Sequence, residues 1–318
     1  MDSNGMAFLC AGYYNIGYVK LIRNDTQMTD TEMMIKEIVV EEFSLLMANI
    51  ESDFRKNYIQ KQYNFLISQM DSTLTANMVF VSSFESKSGN AMEACAKRIA
   101  RLKFGVENVP PIVNPRGVPH DMDPSKVIGQ IIVTDIDVAS GDLHGEIDRF
   151  RANREAVGRG KARRQSTVTQ SSIKELLAIS EKYRTRGYHT KPVDLAFFDN
   201  GEWNILELKA GGDLDTSNAP SNVDKLLTIY AGVHVENAKA YFVALYNKNG
   251  EDHTWKSTVK KHLAYPEMFL IGKQFWDKIL PDDISFKRFT KIYKAALEEI
   301  DLNARMVEII NRTIENRQ

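Results

Sequence analysis

Two acids and an amine, Asp194, Glu207 and Lys209, are the side chains whose types and spacing could do chemistry together in this chain. They lie within VDLAFFDNGEWNILELK, residues 193–209, where Asn200-Gly201 is the strongest short-range signal for a two-residue type I′ turn and the flanks are apolar and aromatic. A hairpin closed at that turn pairs Asp199 with Glu202, Phe198 with Trp203, Phe197 with Asn204, Ala196 with Ile205, Leu195 with Leu206 and finally Asp194 with Glu207. Opposed carboxylates with Cβ atoms ~5 Å apart repel each other unless something positive lies between them. A divalent cation removes that cost. The strand period of two then brings Lys209 to the face that carries Glu207. The set has the layout of an oxygen-ligand Mg²⁺ site with a positioned ammonium, suited to phosphodiester hydrolysis.

A Glu-x-Lys on a strand is also what an alternating solvated face would carry. Context favours chemistry: Leu206 and Leu208 make the opposite face apolar, and Asp194 sits inside an otherwise hydrophobic strand. An unpaired carboxylate buried there would be expensive.

At 318 residues the chain can form one large or two modest domains, and its formal net charge of -1 excludes nucleic-acid binding through overall basicity. Any such binding must come from a local patch. The two cysteines, Cys10 and Cys95, lack a metal-type spacing and point to a reducing compartment. The apolar run at residues 6–11 is too short for a signal segment or a membrane span, so a cytoplasmic protein is expected.

Apolar spacing of three and four predicts a helical region over residues 29–67, capped at Asp30 or Thr31. MVFVSSF, residues 78–84, reads as a strand, after which Ser88-Gly89-Asn90 leads into a helix over 91–102 with Glu93 in its first turn. Five of the nine prolines fall between 109 and 124, which marks a loop, and a strand follows at 127–133. Residues 151–172 carry Arg151, Arg154, Arg159, Lys161, Arg163 and Arg164 against one acid, Glu155, with Gly158 and Gly160 making a mobile basic loop. A helix at 171–183, the hairpin, a polar loop at 210–222, a helix at 223–231 and strands at 240–246 and 269–271 come next. Helices at 274–279, 286–300 and 304–314 end the chain. The expected fold is α/β, a mixed central β-sheet flanked by helices with the hairpin at its heart. Asp135, Asp137 and Asp142 form a rival acidic group, but Ser140 and Gly141 beside them mark turn residues.

With Pro192, Asp194, Glu207 and Lys209 in this order, the sequence resembles the PD-(D/E)xK nuclease superfamily, departing from its pattern in that Val193 separates the proline from the aspartate. Residues 86–93, the loop after Lys209 and the stretch 271–276 (IGKQFW) are similar in style to type II restriction endonucleases. The resemblance implies a restriction-endonuclease-like core over 81–280, with a helical part over 1–80 and C-terminal helices over 281–318, in a single endonuclease domain. It implies Asp194 and Glu207 as Mg²⁺ ligands, Lys209 as the group that positions water or stabilises charge, and Glu93 as an indirect metal ligand unless it is an ordinary acid near a helix N-terminus. The basic residues of 151–172 would contact phosphates of double-stranded DNA, and Lys87 would add to that surface. A type II restriction endonuclease, a homodimer with a cognate DNA methyltransferase, is the expected activity. A repair or structure-specific nuclease and a catalytically silent DNA-binding module are the alternatives.

Overall fold

The computed structural model describes residues 28–158, 164–211, 214 and 216–315. Cys10, Arg159, Lys161 and Arg163 lie outside the described residues.

Two long helices open the fold, α1 (Asp30–Gln62) and α2 (Ser72–Phe104). In α1 the residues Ile35, Ile38, Val39, Phe43, Leu46, Met47, Ile50 and Phe54 recur at helical spacing and are buried. Its N-cap is Thr29 rather than Asp30 or Thr31: the Thr29 side chain and Glu32 cap each other's backbone N–H in a capping box.

The expected strand at 78–84 and the separate helix at 91–102 are both corrected by α2, which runs unbroken through them. A strand would bury every second residue, whereas Ala76, Val79 and Phe80 are buried and Val81 is exposed, which is a helical stripe. Gly89 costs about 1 kcal/mol against alanine inside a helix, and burial of Val79 and Phe80 on α1 contributes about 1.5–3 kcal/mol each. Packing therefore overrides the local β-branched and glycine signals.

Two sheets follow. The first orders β1 (Ile112–Val113), β2 (Gln130–Ile136) and β3 (Arg184–Val193), with β1 parallel and β3 antiparallel to β2. The second orders β4 (Leu195–Asp199), β5 (Glu202–Lys209), β6 (Ala238–Ala244) and β7 (Phe269–Ile271), with the β4–β5 hairpin antiparallel and the rest parallel. The mixed sheet is thus in two parts that meet at Asp194, between β3 and β4. The buried Gln130 amide spans this junction, donating to the Ala196 carbonyl and accepting from the Ala196 N–H, both at 2.9 Å, so it extends strand-like pairing across the gap.

Strand alternation sorts the second sheet's side chains onto two faces. Leu195, Phe197, Leu206, Leu208 and Val243 pack into one core with α1, α2 and the C-terminal helices α6 (Lys273–Ile279), α7 (Phe286–Glu299) and α8 (Leu302–Glu315). Ala196, Ile205, Phe242 and Ala244 pack into the other with α3 (Gly141–Ala152), α4 (Glu175–Glu181) and α5 (Asn218–Val233). Glu207 and Lys209 follow Ile205 in alternation and so project on the α5 side. The chain is mixed α/β with helices at both ends of the described residues, and none of those helices is long and apolar enough to cross a membrane.

Candidate active site

The hairpin turn holds Asn200 at φ 50° and Gly201 at φ 82°, the paired positive values that a type I′ turn demands. The register runs from Asp199 opposite Glu202 to Leu195 opposite Leu206, as the turn dictates. Asp194 is one step beyond the last paired residue, where β3 gives way to β4. Its carboxylate turns onto β5, accepting a hydrogen bond from the Leu208 N–H at 2.8 Å.

Asp194 and Glu207 converge. Asp194 is 9% exposed and Glu207 is fully buried. Lys209 Nζ donates to Glu207 Oε1 at 2.6 Å and stands 3.9 Å from Asp194 Oδ2. A second amine, Lys225 in α5, touches both acids at once, 2.8 Å from Asp194 Oδ1 and 2.7 Å from Glu207 Oε2. Lys225 is absent from the residues suggested by sequence. Its signal was a charge inside an apolar helix, between Val223 and the buried Leu226 and Leu227.

Burial pushes the Glu207 carboxyl above its ordinary range, and the Asp194 charge adds to this, while Lys209 and Lys225 pull the other way without cancelling it. Burial draws the Lys225 ammonium down, but Asp194 and Glu207 outweigh it and leave its pKa raised. Lys191, at the end of β3, is lowered by burial and by the Lys225 charge, with Glu207 opposing, so a third amine faces the same group of charges.

The donor set fits a hard divalent cation. Two carboxylates already share one ammonium, so a single ion can reach both, and hard cations such as Mg²⁺ are held by one or two carboxylates with the remaining positions left to water or phosphate. Glu207 Oε2 is buried, and the Lys225 ammonium 2.7 Å away is the cation that meets it. No cluster of three or more histidine, cysteine or acidic residues suited to a metal occurs among the described residues. Asp135 is instead paired with Arg116 at 2.6 Å and Arg184 at 3.4 Å, Asp137 accepts from the Ala139 N–H, and Asp142 lies in the first turn of α3.

Glu93 is well inside α2 rather than in a first turn, so a helix-terminus preference does not account for it. It lines a cavity of about 640 Å³ together with Asp194, Gln130 and Lys97. Its carboxyl is pushed up by burial and then by the Asp194 charge, against the pull of Lys97, whose Nζ is 2.6 Å away. Glu93 thus stands at the rim of the pair formed by Asp194 and Glu207.

The basic residues divide. Arg151 is the last turn of α3 rather than a loop, is 5% exposed, and is committed to Asp148, Glu155 and Asp224, the last at 2.6 Å. Arg154 pairs with Glu175 at 2.7 Å and lies over the Phe150 ring. Lys87 bridges α2 to Asp53 and the Asn49 carbonyl of α1. These three are occupied within the fold. Arg164 is exposed, bridges Val157 through its backbone, and has no ion pair among the described residues.

Residues 146–296 match the family model described as Type II restriction endonuclease, HinfI. The match takes in β3 through β7 with α4, α5 and α6, and so carries Asp194, Glu207, Lys209 and Lys225, while Glu93 and Lys87 precede it. Comparison with curated proteins and with solved structures found no match. With the family match and the mixed α/β core in agreement, the chain is a restriction-endonuclease-like nuclease, an endodeoxyribonuclease.

Proposed function

We propose that the protein is a Mg²⁺-dependent type II restriction endonuclease, hydrolysing phosphodiester bonds of double-stranded DNA at a specific sequence. The observation that carries this reading is the meeting of Asp194, Glu207, Lys209 and Lys225 within hydrogen-bonding reach, inside the segment that matches the restriction endonuclease family.

Asp194 and Glu207 would hold the cation, on opposite sides of the position that Lys225 now touches. Mg²⁺ bound there supplies Lewis acidity toward a phosphate oxygen. The chain's own contribution is geometric and electrostatic. The Leu208 N–H fixes the Asp194 carboxylate, Gln130 holds the backbone two residues on at Ala196, and the 2.6 Å contact to Glu207 fixes Lys209 so that its remaining N–H groups can orient an attacking water. Lys191 and Lys209 would supply positive charge toward a phosphodiester that gains negative charge in the transition state. Burial of the acids keeps bulk water from competing for these contacts.

A homodimer fits this function, since a two-fold pair of sites cuts both strands of a symmetric sequence, and a methyltransferase of the same specificity would protect the host's DNA. The test is digestion of phage DNA with Mg²⁺ present. Discrete fragments are expected, and a smear, or cutting confined to lesions or junctions, would refute sequence specificity. Asp194→Ala should lower cleavage by ~10³-fold or more, because several kcal/mol of transition-state stabilisation pass through that ligand. Binding of DNA by the same variant should survive in a gel-shift assay.

A further inference from the structure

The ammonium of Lys225 lies where a metal ion would. It is 2.8 Å from Asp194 Oδ1 and 2.7 Å from Glu207 Oε2, touching one oxygen of each carboxylate. Lys209 is placed differently, bonded to Glu207 at 2.6 Å but 3.9 Å from Asp194. We propose that Lys225 is a displaceable counter-ion: it fills the cation position between Asp194 and Glu207 in the metal-free protein and must withdraw for a divalent ion to enter. This inference rests on the two-carboxylate cation site proposed above and adds a positioning residue that acts before the reaction.

The charge balance makes the exchange necessary. Asp194 and Glu207 against Lys209 and Lys225 form a neutral quartet, with Lys191 close enough to be shifted by both Lys225 and Glu207. Two positive charges added to a neutral, half-dry group with all four side chains in place would find little net attraction, because the two ammonium groups repel the ion about as strongly as the two acids draw it. With Lys225 withdrawn, the same acids face one bound ammonium and regain a net negative charge. The contacts also differ in how readily they break. Lys209 reaches Glu207 from two residues along the same strand, whereas Lys225 reaches both acids from the end of a side chain on another element, donating to Asp194 Oδ1 at 2.8 Å and standing 2.7 Å from Glu207 Oε2.

Room to withdraw exists, since the Lys225 side chain is 34% exposed and Glu207 is fully enclosed. The backbone beneath it does not need to move. Its neighbour Asp224 is pinned by Arg151 at 2.6 Å, and the following Leu226 and Leu227 are buried, so α5 stays in place while the flexible lysine stem turns outward.

Calorimetric titration of Ca²⁺ into the full chain, without DNA, tests this independently of cleavage. Lys225→Met should bind Ca²⁺ more tightly than the parent by on the order of tenfold, the effect of removing a competing cation at contact distance. Lys209→Met should gain less, because Lys209 is at contact distance from Glu207 but 3.9 Å from Asp194. Equal or weaker Ca²⁺ binding by Lys225→Met, with binding intact in the parent, overturns the proposal and leaves the metal site standing. Absence of Ca²⁺ and Mn²⁺ binding from the parent and both variants overturns the metal site itself. A second measurement uses the unaltered protein, in case Lys225→Met does not fold. Modification of amines by acetic anhydride, read by peptide mass spectrometry, should reach Lys225 several-fold faster with Ca²⁺ present. Exposed Lys126 should react at an unchanged rate. A Lys225 rate that ignores saturating Ca²⁺ refutes displacement.

Discussion

A carboxylate enclosed as fully as Glu207 would neutralise itself unless cations were delivered to it, and the fold delivers Lys209 from its own strand and Lys225 from α5. Glu93 is in another position. Its partner is Lys97, one turn along the same helix, and its tie to the acids is through the field of Asp194 rather than through contact. A group that orients the surroundings of a metal without ligating it is worth 10–100-fold in affinity or rate. Glu93→Gln should therefore reduce cleavage by about ten- to a hundredfold, well short of the loss in Asp194→Ala. Parallel rate measurements on the two variants decide the matter, and equal losses would make Glu93 a direct ligand.

At the level of elements, the site is a junction: β3 ends, β4 begins, and α5 crosses beneath. The hairpin was legible because its information is local, a two-residue turn that fixes every pair from Asp199 to Leu195. Lys225 and Arg151 were not legible, because their partners come from afar: Asp194 is 31 residues from Lys225, and Asp224 is 73 from Arg151. Two of the cations in the basic run, Arg151 and Arg154, face acids of their own, which residue types along the chain do not reveal. β3 escaped notice for a related reason, since it is mostly exposed and polar and shows no apolar alternation. Arg151, Glu155 and Lys261 also surround His262, a buried histidine whose Nδ1 lies 2.7 Å from Glu155 Oε1 and which ties the short 3₁₀ turn Thr258–Lys261 to α3. Burial holds the His262 pKa below its ordinary value of 6.5, and Arg151 and Lys261 help, with Glu155 opposing. A histidine lowered on folding takes up its proton more readily when unfolded. Its contribution to stability is therefore intact above 6.5 and declines as pH falls from that value toward the depressed one. Thermal melts of the parent should show this loss below 6.5, and His262→Gln should show a shallower one. Some slope should remain, since burial lowers His234 too. Identical slopes would mean that His262 titrates normally.

For the whole molecule, a net charge of -1 leaves no general attraction to DNA, so affinity has to be concentrated in a few outward cations. Those already tied to acids, Arg151, Arg154 and Lys87, should add less to that surface, because a phosphate would have to compete with a carboxylate at contact distance. Arg164 meets no such competitor among the described residues. It stands at the edge of the basic stretch, on the segment that continues through Ser166 and Val168 into the α4 region, within the family-matched span. Each phosphate neutralised by such a side chain releases condensed counterions and adds about 0.9 to the slope of log affinity against log salt. Arg164→Ala should weaken binding to all DNA sequences alike and lower that slope by about one, with the choice of cleavage site unchanged. Titrations at several salt concentrations, on cognate and random duplexes, measure both quantities. A loss restricted to the cognate duplex would instead make Arg164 a reader of base edges, since only contacts in the grooves distinguish one sequence from another.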